Sequence, residues 1–287
     1  MFRNHTTCPI CSQSIDYFDS NCPYCHSENT EFKKLRISKN TINVAWYFQL
    51  IMFLIGWMGI QFIAVIVEII ISILTGVPLT ELTEHMNELA IAEFITYGIE
   101  FILMIIMLII SGGYKKIYKP FLNYKSYLFG LAGLGALFLA STYYDTFKSV
   151  FDNSVSDNQY LITGIVLNQP VPSIIFFCLI GPICEELTYR VGLFGLLRRW
   201  NRVAAYLIGI FVFAAVHFNV NVILYLLNDN NIQPLISELW NFPSYLIGGA
   251  VLVTIYDLFG FGASSITHIL NNLIGIIGIL ITAKYGS

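Results

Sequence analysis

The decapeptide Gly181-Pro-Ile-Cys-Glu185-Glu186-Leu-Thr-Tyr-Arg190 sets two adjacent carboxylates and an arginine between apolar flanks. An ionised side chain at the centre of a bilayer costs about 2.5–3.5 kcal/mol even on lenient scales, so such residues mark function before structure. On a helix, Glu186 and Arg190 are four apart and share one face, where a buried ion pair can form. Glu185 is turned from Glu186 by about 100° and is left to face a cavity. A desolvated carboxyl titrates nearer neutrality, which suits a general base or acid.

Two further polar islands lie later in apolar runs: Phe213-x-x-x-His217, and His268-x-x-x-Asn272. His268 and Asn272 again share a helix face. Glu185 precedes Arg198 by thirteen residues and His217 follows Arg202 by fifteen, so both sit roughly 20 Å along their helices from those arginines. His268 is about two turns beyond the Gly260-Phe261-Gly262 corner, which carries no Lys or Arg and so can sink into the bilayer. Each island also has a plainer reading: a structural ion pair, a packing histidine, an interhelical amide. Their joint occurrence on successive runs favours one site. Glu68, Glu93, Glu100 and Asp257 lack partners at comparable spacing and are assigned no role.

The elements that must position these groups are membrane helices. The chain of 287 residues is 56% hydrophobic and only 11% charged, against about a quarter in soluble domains. The apolar runs are about 45–74, 90–110, 127–147, 173–197, 203–218, 243–259 and 263–283, giving an all-α polytopic bundle of about seven transmembrane helices. Gly130, Gly133 and Gly135 in the third run permit close helix packing. Residues 160–172, broken by Gly164, Pro170 and Pro172, read as an interfacial segment, and 219–242 as a polar loop. Seven crossings from a cytoplasmic start put Lys33, Lys34, Arg36 and Lys39, the 115–125 lysines and Arg198, Arg199 and Arg202 inside, leaving Lys148 and Lys284 outside. The chain is therefore expected in the cell membrane with a cytoplasmic N-terminus and an external C-terminus. Nothing supports nucleic-acid binding.

Residues 1–30 carry Cys8-Pro-Ile-Cys11 and Cys22-Pro-Tyr-Cys25. Paired Cys-x-x-Cys knuckles complete a tetrahedral zinc site. On the cytoplasmic side, zinc rather than disulfides is the expected cross-link, and it supplies the folding energy of so short a segment. The segment resembles a zinc ribbon, with His5 and His26 as bystanders. Cys178 and Cys184 read as small buried residues. The expected organisation is the ribbon (1–30), a basic linker (31–44), N-terminal transmembrane helices (45–158) and a catalytic core (159–287).

Together, Glu185-Glu186-x-x-x-Arg190, Phe213-x-x-x-His217 and His268-x-x-x-Asn272 resemble the CPBP family of intramembrane proteases, which includes CAAX-prenyl endopeptidases and proteins of bacteriocin maturation and self-immunity. The likeness spans roughly 170–283. It implies a helical bundle enclosing a cavity open to the cytoplasm. It also implies that Glu185 and His217 activate water, that His268 and Asn272 stabilise the oxyanion, and that Glu186 and Arg190 position the site. A glutamate with two histidines is equally a zinc ligand set with an open water position, so a catalytic metal stays open. The metal-free version makes better use of Asn272, because carboxamides are good oxyanion donors. The expected function is cleavage of a peptide or membrane-protein substrate, prenylated or leader-type. The ribbon is a candidate for recruiting a cytoplasmic partner. The rival readings are a non-catalytic immunity or binding protein, the zinc-dependent protease, and a transporter with a buried proton relay.

Overall fold

A computed structural model describes residues 5–16, 19, 21–29, 42, 44–223, 227 and 231–285. The helices are α1 (Trp46–Thr75), α2 (Met86–Ile110), α3 (Tyr114–Phe121), α4 (Tyr124–Lys148), α5 (Asp157–Asn168), α6 (Pro170–Arg198), α7 (Arg202–Ala215), α8 (Gln233–Phe259) and α9 (Phe261–Tyr285). Among the described residues, six of them (α1, α2, α4, α6, α8 and α9) are long and apolar enough to cross a bilayer, and α7 is a shorter apolar helix. The chain is a multi-pass membrane protein of the helical class the apolar runs indicate.

Helix ends follow local chemistry. Asn123, Ser156 and Asn201 accept backbone N–H groups at the starts of α4, α5 and α7. Gly76, at φ 76°, closes α1 in the left-handed conformation that favours glycine. Several boundaries differ from the sequence reading; the second run starts four residues earlier, at Met86. The sixth run starts ten residues earlier, at Gln233, because Pro243 stays inside α8 and the polar turns before it find partners. There Lys148 Nζ donates to Asn241 Oδ1 at 2.9 Å and the Asp157 backbone N–H donates to Glu238 at 3.1 Å. The fifth run ends at Ala215, three residues short.

Glycines set how closely the central helices approach. A side chain at Gly56 in α1 would run into Thr188 of α6. At Gly192 a Cβ would lie 3.0 Å from the Phe53 backbone nitrogen, so α1 lies directly on the motif helix. Gly130 and Gly133 of α4 admit Ile266 and Thr267 of α9, and the Thr267 hydroxyl donates to the Gly130 carbonyl at 2.9 Å. Gly135 faces open space and does not serve packing.

One residue left without a role ties the basic end together. Asp257 on α8 is 1% exposed. It pairs with Arg198 of α6, takes Arg202 Nε and Nη2 at 3.1 and 2.7 Å, and accepts from Tyr206 at 3.0 Å. Sequence spacing missed this because the partners come from other helices. Beside it, Ile42 donates its backbone N–H to Tyr256 at 3.2 Å, and Arg199 bonds the Val44 carbonyl and Gln49, so the approach to α1 is embedded in the same core. The α8–α9 corner turns at Gly260, φ 91°, and Phe261 is fully buried against Phe121 of α3.

In the N-terminal segment, antiparallel strands β1 (His5–Thr7) and β2 (Ser14–Asp16) flank the first knuckle. The two knuckles repeat one geometry. Cys8 N–H bonds Gln13 O and Ser12 N–H bonds Cys8 O; Cys22 N–H bonds Ser27 O and His26 N–H bonds Cys22 O. Ser12 and His26 hold φ of 56° and 58°, closing each turn so that its two thiols point inward. Residues 31–41 of the basic linker, and Asn43, lie outside the described residues.

Candidate active site

The motif helix α6 is wound wider than an ordinary α-helix at Ile174–Ile180 and Glu186–Phe194. Such widened turns recur at functional sites. Within it, Glu186 is fully buried and engaged on both oxygens. Arg190 Nε lies 3.3 Å from Oε1, His268 Nδ1 lies 3.1 Å from the same oxygen, and the Ser264 hydroxyl donates to Oε2. Glu185, one residue earlier, contrasts sharply. Its side chain is 22% exposed and its Oε2 has no hydrogen-bond partner among the described residues, although His268 Nε2 stands 3.7 Å away.

Arg190 is 2% exposed, with its guanidinium carbon 4.3 Å from the centroid of the Phe213 ring. That ring lies 5.0 Å from His217 and 6.2 Å from His268, centroid to centroid, and forms the floor common to both imidazoles. His217 sits just past the end of α7. Its Nδ1 lies 2.8 Å from the Phe213 carbonyl oxygen. A carbonyl only accepts, so Nδ1 carries the hydrogen and Nε2 the lone pair. The imidazole thereby caps a carbonyl that the helix, ending at Ala215, leaves unused.

Asn272 Nδ2 donates to the Phe177 carbonyl at 2.9 Å, which orients the amide and leaves it a second N–H. The structure thus brings Glu185, Glu186, Arg190 and His268 into one contact group. His217 joins it across Phe213, and Asn272 stands one turn of α9 beyond His268.

Three neighbours were given no role in the sequence reading. Ser264 precedes His268 by four residues, so helical spacing could have flagged it. Tyr245 of α8 stacks on His217 at 4.6 Å with the planes 18° apart, a contact that no spacing reveals. Glu100 of α2 is 2% exposed. Phe94 stacks on Phe176 at 4.9 Å and Tyr97 reaches Gly181, so the next turn of α2 meets α6 at the level of Glu185, and the two carboxyls interact electrostatically.

The other candidate centre is the thiol cluster. The Sγ atoms of Cys8, Cys11, Cys22 and Cys25 all lie within 4.8 Å of one another, with 3.6 Å between Cys8 and Cys25 and 3.5 Å between Cys11 and Cys22. Four thiolates about 2.3 Å from one ion stand about 3.8 Å apart, so the cluster fits a tetrahedral metal. The Cys11 backbone N–H, helped by the Ser27 hydroxyl, lowers the Cys8 thiol to about 6. At Cys11 the Gln13 backbone N–H pulls the same way, but desolvation and the facing Cys25 and Cys22 sulfurs prevail and push that thiol up to about 12.

Residues 167–274 match the family model described as type II CAAX prenyl endopeptidase Rce1-like. No curated protein and no solved structure matches the chain. The matched segment contains Glu185, Glu186, Arg190, His217, His268 and Asn272.

Proposed function

We infer that this chain, a member of the type II CAAX prenyl endopeptidase Rce1-like family within the CPBP intramembrane proteases, hydrolyses a peptide bond with a water activated by Glu185 and His217. One observation carries the reading: of two adjacent carboxylates, Glu186 is ion-paired with Arg190 and hydrogen-bonded by Ser264 and His268, whereas Glu185 keeps a free oxygen. A carboxylate already paired with a guanidinium and holding two hydrogen-bond donors is a poor base. One with an unshared oxygen can hold a water.

In this mechanism the water gives one hydrogen bond to Glu185 and one to His217 Nε2. Its oxygen attacks the peptide carbonyl carbon as Glu185 takes the proton. Charge collects on the carbonyl oxygen, where the second N–H of Asn272 acts as donor, and His268 adds its Nε2–H when both of its ring nitrogens carry hydrogen. The C–N bond then breaks, and Glu185 returns the proton to the leaving amine. Arg190 acts through Glu186 by holding it, and Glu186 in turn fixes the His268 ring. The substrates in view are peptides or proteins of the membrane, prenylated or leader-type. The lysine and arginine distribution favours a cytoplasmic N-terminus and an external C-terminus, with the site reached from the cytoplasm.

Cys8, Cys11, Cys22 and Cys25 would hold zinc, which when bound supplies a cross-link for a segment with almost no apolar core. The ribbon is then free to recruit a cytoplasmic partner.

The test uses purified protein in nanodiscs and a fluorescence-quenched farnesylated peptide ending in a CAAX sequence. Wild type is expected to cleave it, and Glu185→Gln to lose about 10²–10⁴-fold in rate with unaltered thermal unfolding. Full turnover by Glu185→Gln would remove the glutamate mechanism. The zinc-dependent alternative is separated by metal analysis of protein lacking residues 1–30: no stoichiometric metal is expected to remain.

A further inference from the structure

His217 has left its helix, so α7 no longer fixes the direction of its ring. Its Nδ1 contact with the Phe213 carbonyl at 2.8 Å acts as a pivot about which the ring can still tilt. The tilt is set by Tyr245, whose ring lies nearly parallel to the imidazole at 4.6 Å and 18°. Offset stacking at such separations is favourable and directional. Tyr245 is in turn anchored outside the family-matched segment. Its hydroxyl lies 2.9 Å from the Ser156 hydroxyl and accepts from Asn158 Nδ2 at 3.4 Å. Ser156 is itself held as the cap of α5, taking the Gln159 N–H at 3.2 Å. Between those two residues, Asp157 bonds the Asn219 amide, two positions after His217, and gives its backbone N–H to the buried Glu238 of α8.

Resting on the peptidase reading above, we propose that Tyr245 is the positioning residue for His217, and that residues 156–158 hold it in place. The ring keeps the Nε2 lone pair in a fixed plane toward the water shared with Glu185. The start of α5 thereby becomes a functional support of the site as well as a connection between α4 and α6. Misplacing a reacting group by about 1 Å can cost about a hundredfold, so a single stacked ring is enough to matter.

The experiment compares Tyr245→Leu, Tyr245→Phe and Ser156→Ala with wild type in nanodiscs. With the farnesylated CAAX peptide, Tyr245→Leu is expected to lower kcat about ten- to a hundredfold with KM nearly unchanged. The two milder variants, which keep the ring and loosen its anchor, should lie between. An activity-independent readout is the rate of His217 carbethoxylation by diethyl pyrocarbonate, mapped by mass spectrometry. It should rise in Tyr245→Leu, and less in the other two. Unchanged kcat and unchanged modification in Tyr245→Leu would overturn the proposal. If that variant does not fold, wild-type values for both Tyr245→Phe and Ser156→Ala would do the same. If wild type cleaves no such peptide, the peptidase reading falls for that substrate, and the modification rates alone decide whether Tyr245 orients His217.

Discussion

The Nδ1 of His268 lies 3.1 Å from Oε1 of Glu186, joining α9 to α6 inside the bundle. The same oxygen forms an ion pair with Arg190 Nε at 3.3 Å, and none of the three guanidinium nitrogens has a hydrogen-bond partner among the described residues. Glu186 is thus the group that neutralises a guanidinium 2% exposed. Removing one member of a buried pair leaves the other uncompensated, at a cost of about 3–5 kcal/mol. Glu186→Gln is therefore expected to lower the unfolding midpoint in nanodiscs substantially and to lose activity with it. Glu185→Gln should lose activity at an unchanged midpoint. Equal midpoints for the two variants would show that Glu186 does not carry Arg190.

Asn272 separates oxyanion stabilisation from packing. Its amide is tethered to the Phe177 carbonyl at 2.9 Å, and its side chain is only partly buried. Losing one oxyanion donor typically costs about 10²–10³ in kcat. Asn272→Ala should show that loss with KM within about twofold, since the donor acts mainly in the transition state. A rise in KM at constant kcat would instead make Asn272 a residue of substrate binding.

Asp257 gives a test of stability away from the chemistry. It is 1% exposed and collects Arg198, Arg202 and Tyr206 from two other helices. Asp257→Ala would leave Arg198, itself largely buried, without its carboxylate. A loss of about 3–5 kcal/mol is expected, read as a lower unfolding midpoint. Asp257→Ala with Arg198→Met should recover part of it, because the uncompensated charge leaves with the second change. No recovery would place the cost elsewhere.

What could be read in advance divides by range. Apolar runs fixed the helices, because a bilayer demands about 20 apolar residues whatever the tertiary packing. Contacts within one helix were equally legible: Glu186 and Arg190 are four apart, and they meet. The contrast between Glu185 and Glu186 follows from the same rotation. Contacts across helices were hidden. Asp257, Glu100 and Tyr245 lie on helices whose register against α6 or α7 no single sequence encodes, and all three reach groups of interest. The end of α7 escaped too, since Val216 and Phe218 continue the apolar pattern while His217 takes the Phe213 carbonyl for its own ring.

The thiol cluster ties metal retention to pH. The Cys8 thiol is lowered to about 6 by the Cys11 backbone N–H and Ser27, whereas Cys11 is pushed up to about 12. A metal binds thiolates, so protons compete with it, and affinity falls as pH falls. In the metal-free full chain at pH 7, Cys8 is therefore mostly thiolate and Cys11 almost wholly thiol. Brief iodoacetamide treatment followed by peptide mapping should label Cys8 well before Cys11, and loading with zinc should protect all four cysteines. Lowering the pH should release the ion as protons compete for the thiolates, read as chelator-accessible zinc. Equal labelling of Cys8 and Cys11 would show that the Cys11 N–H and Ser27 do not set the first thiolate.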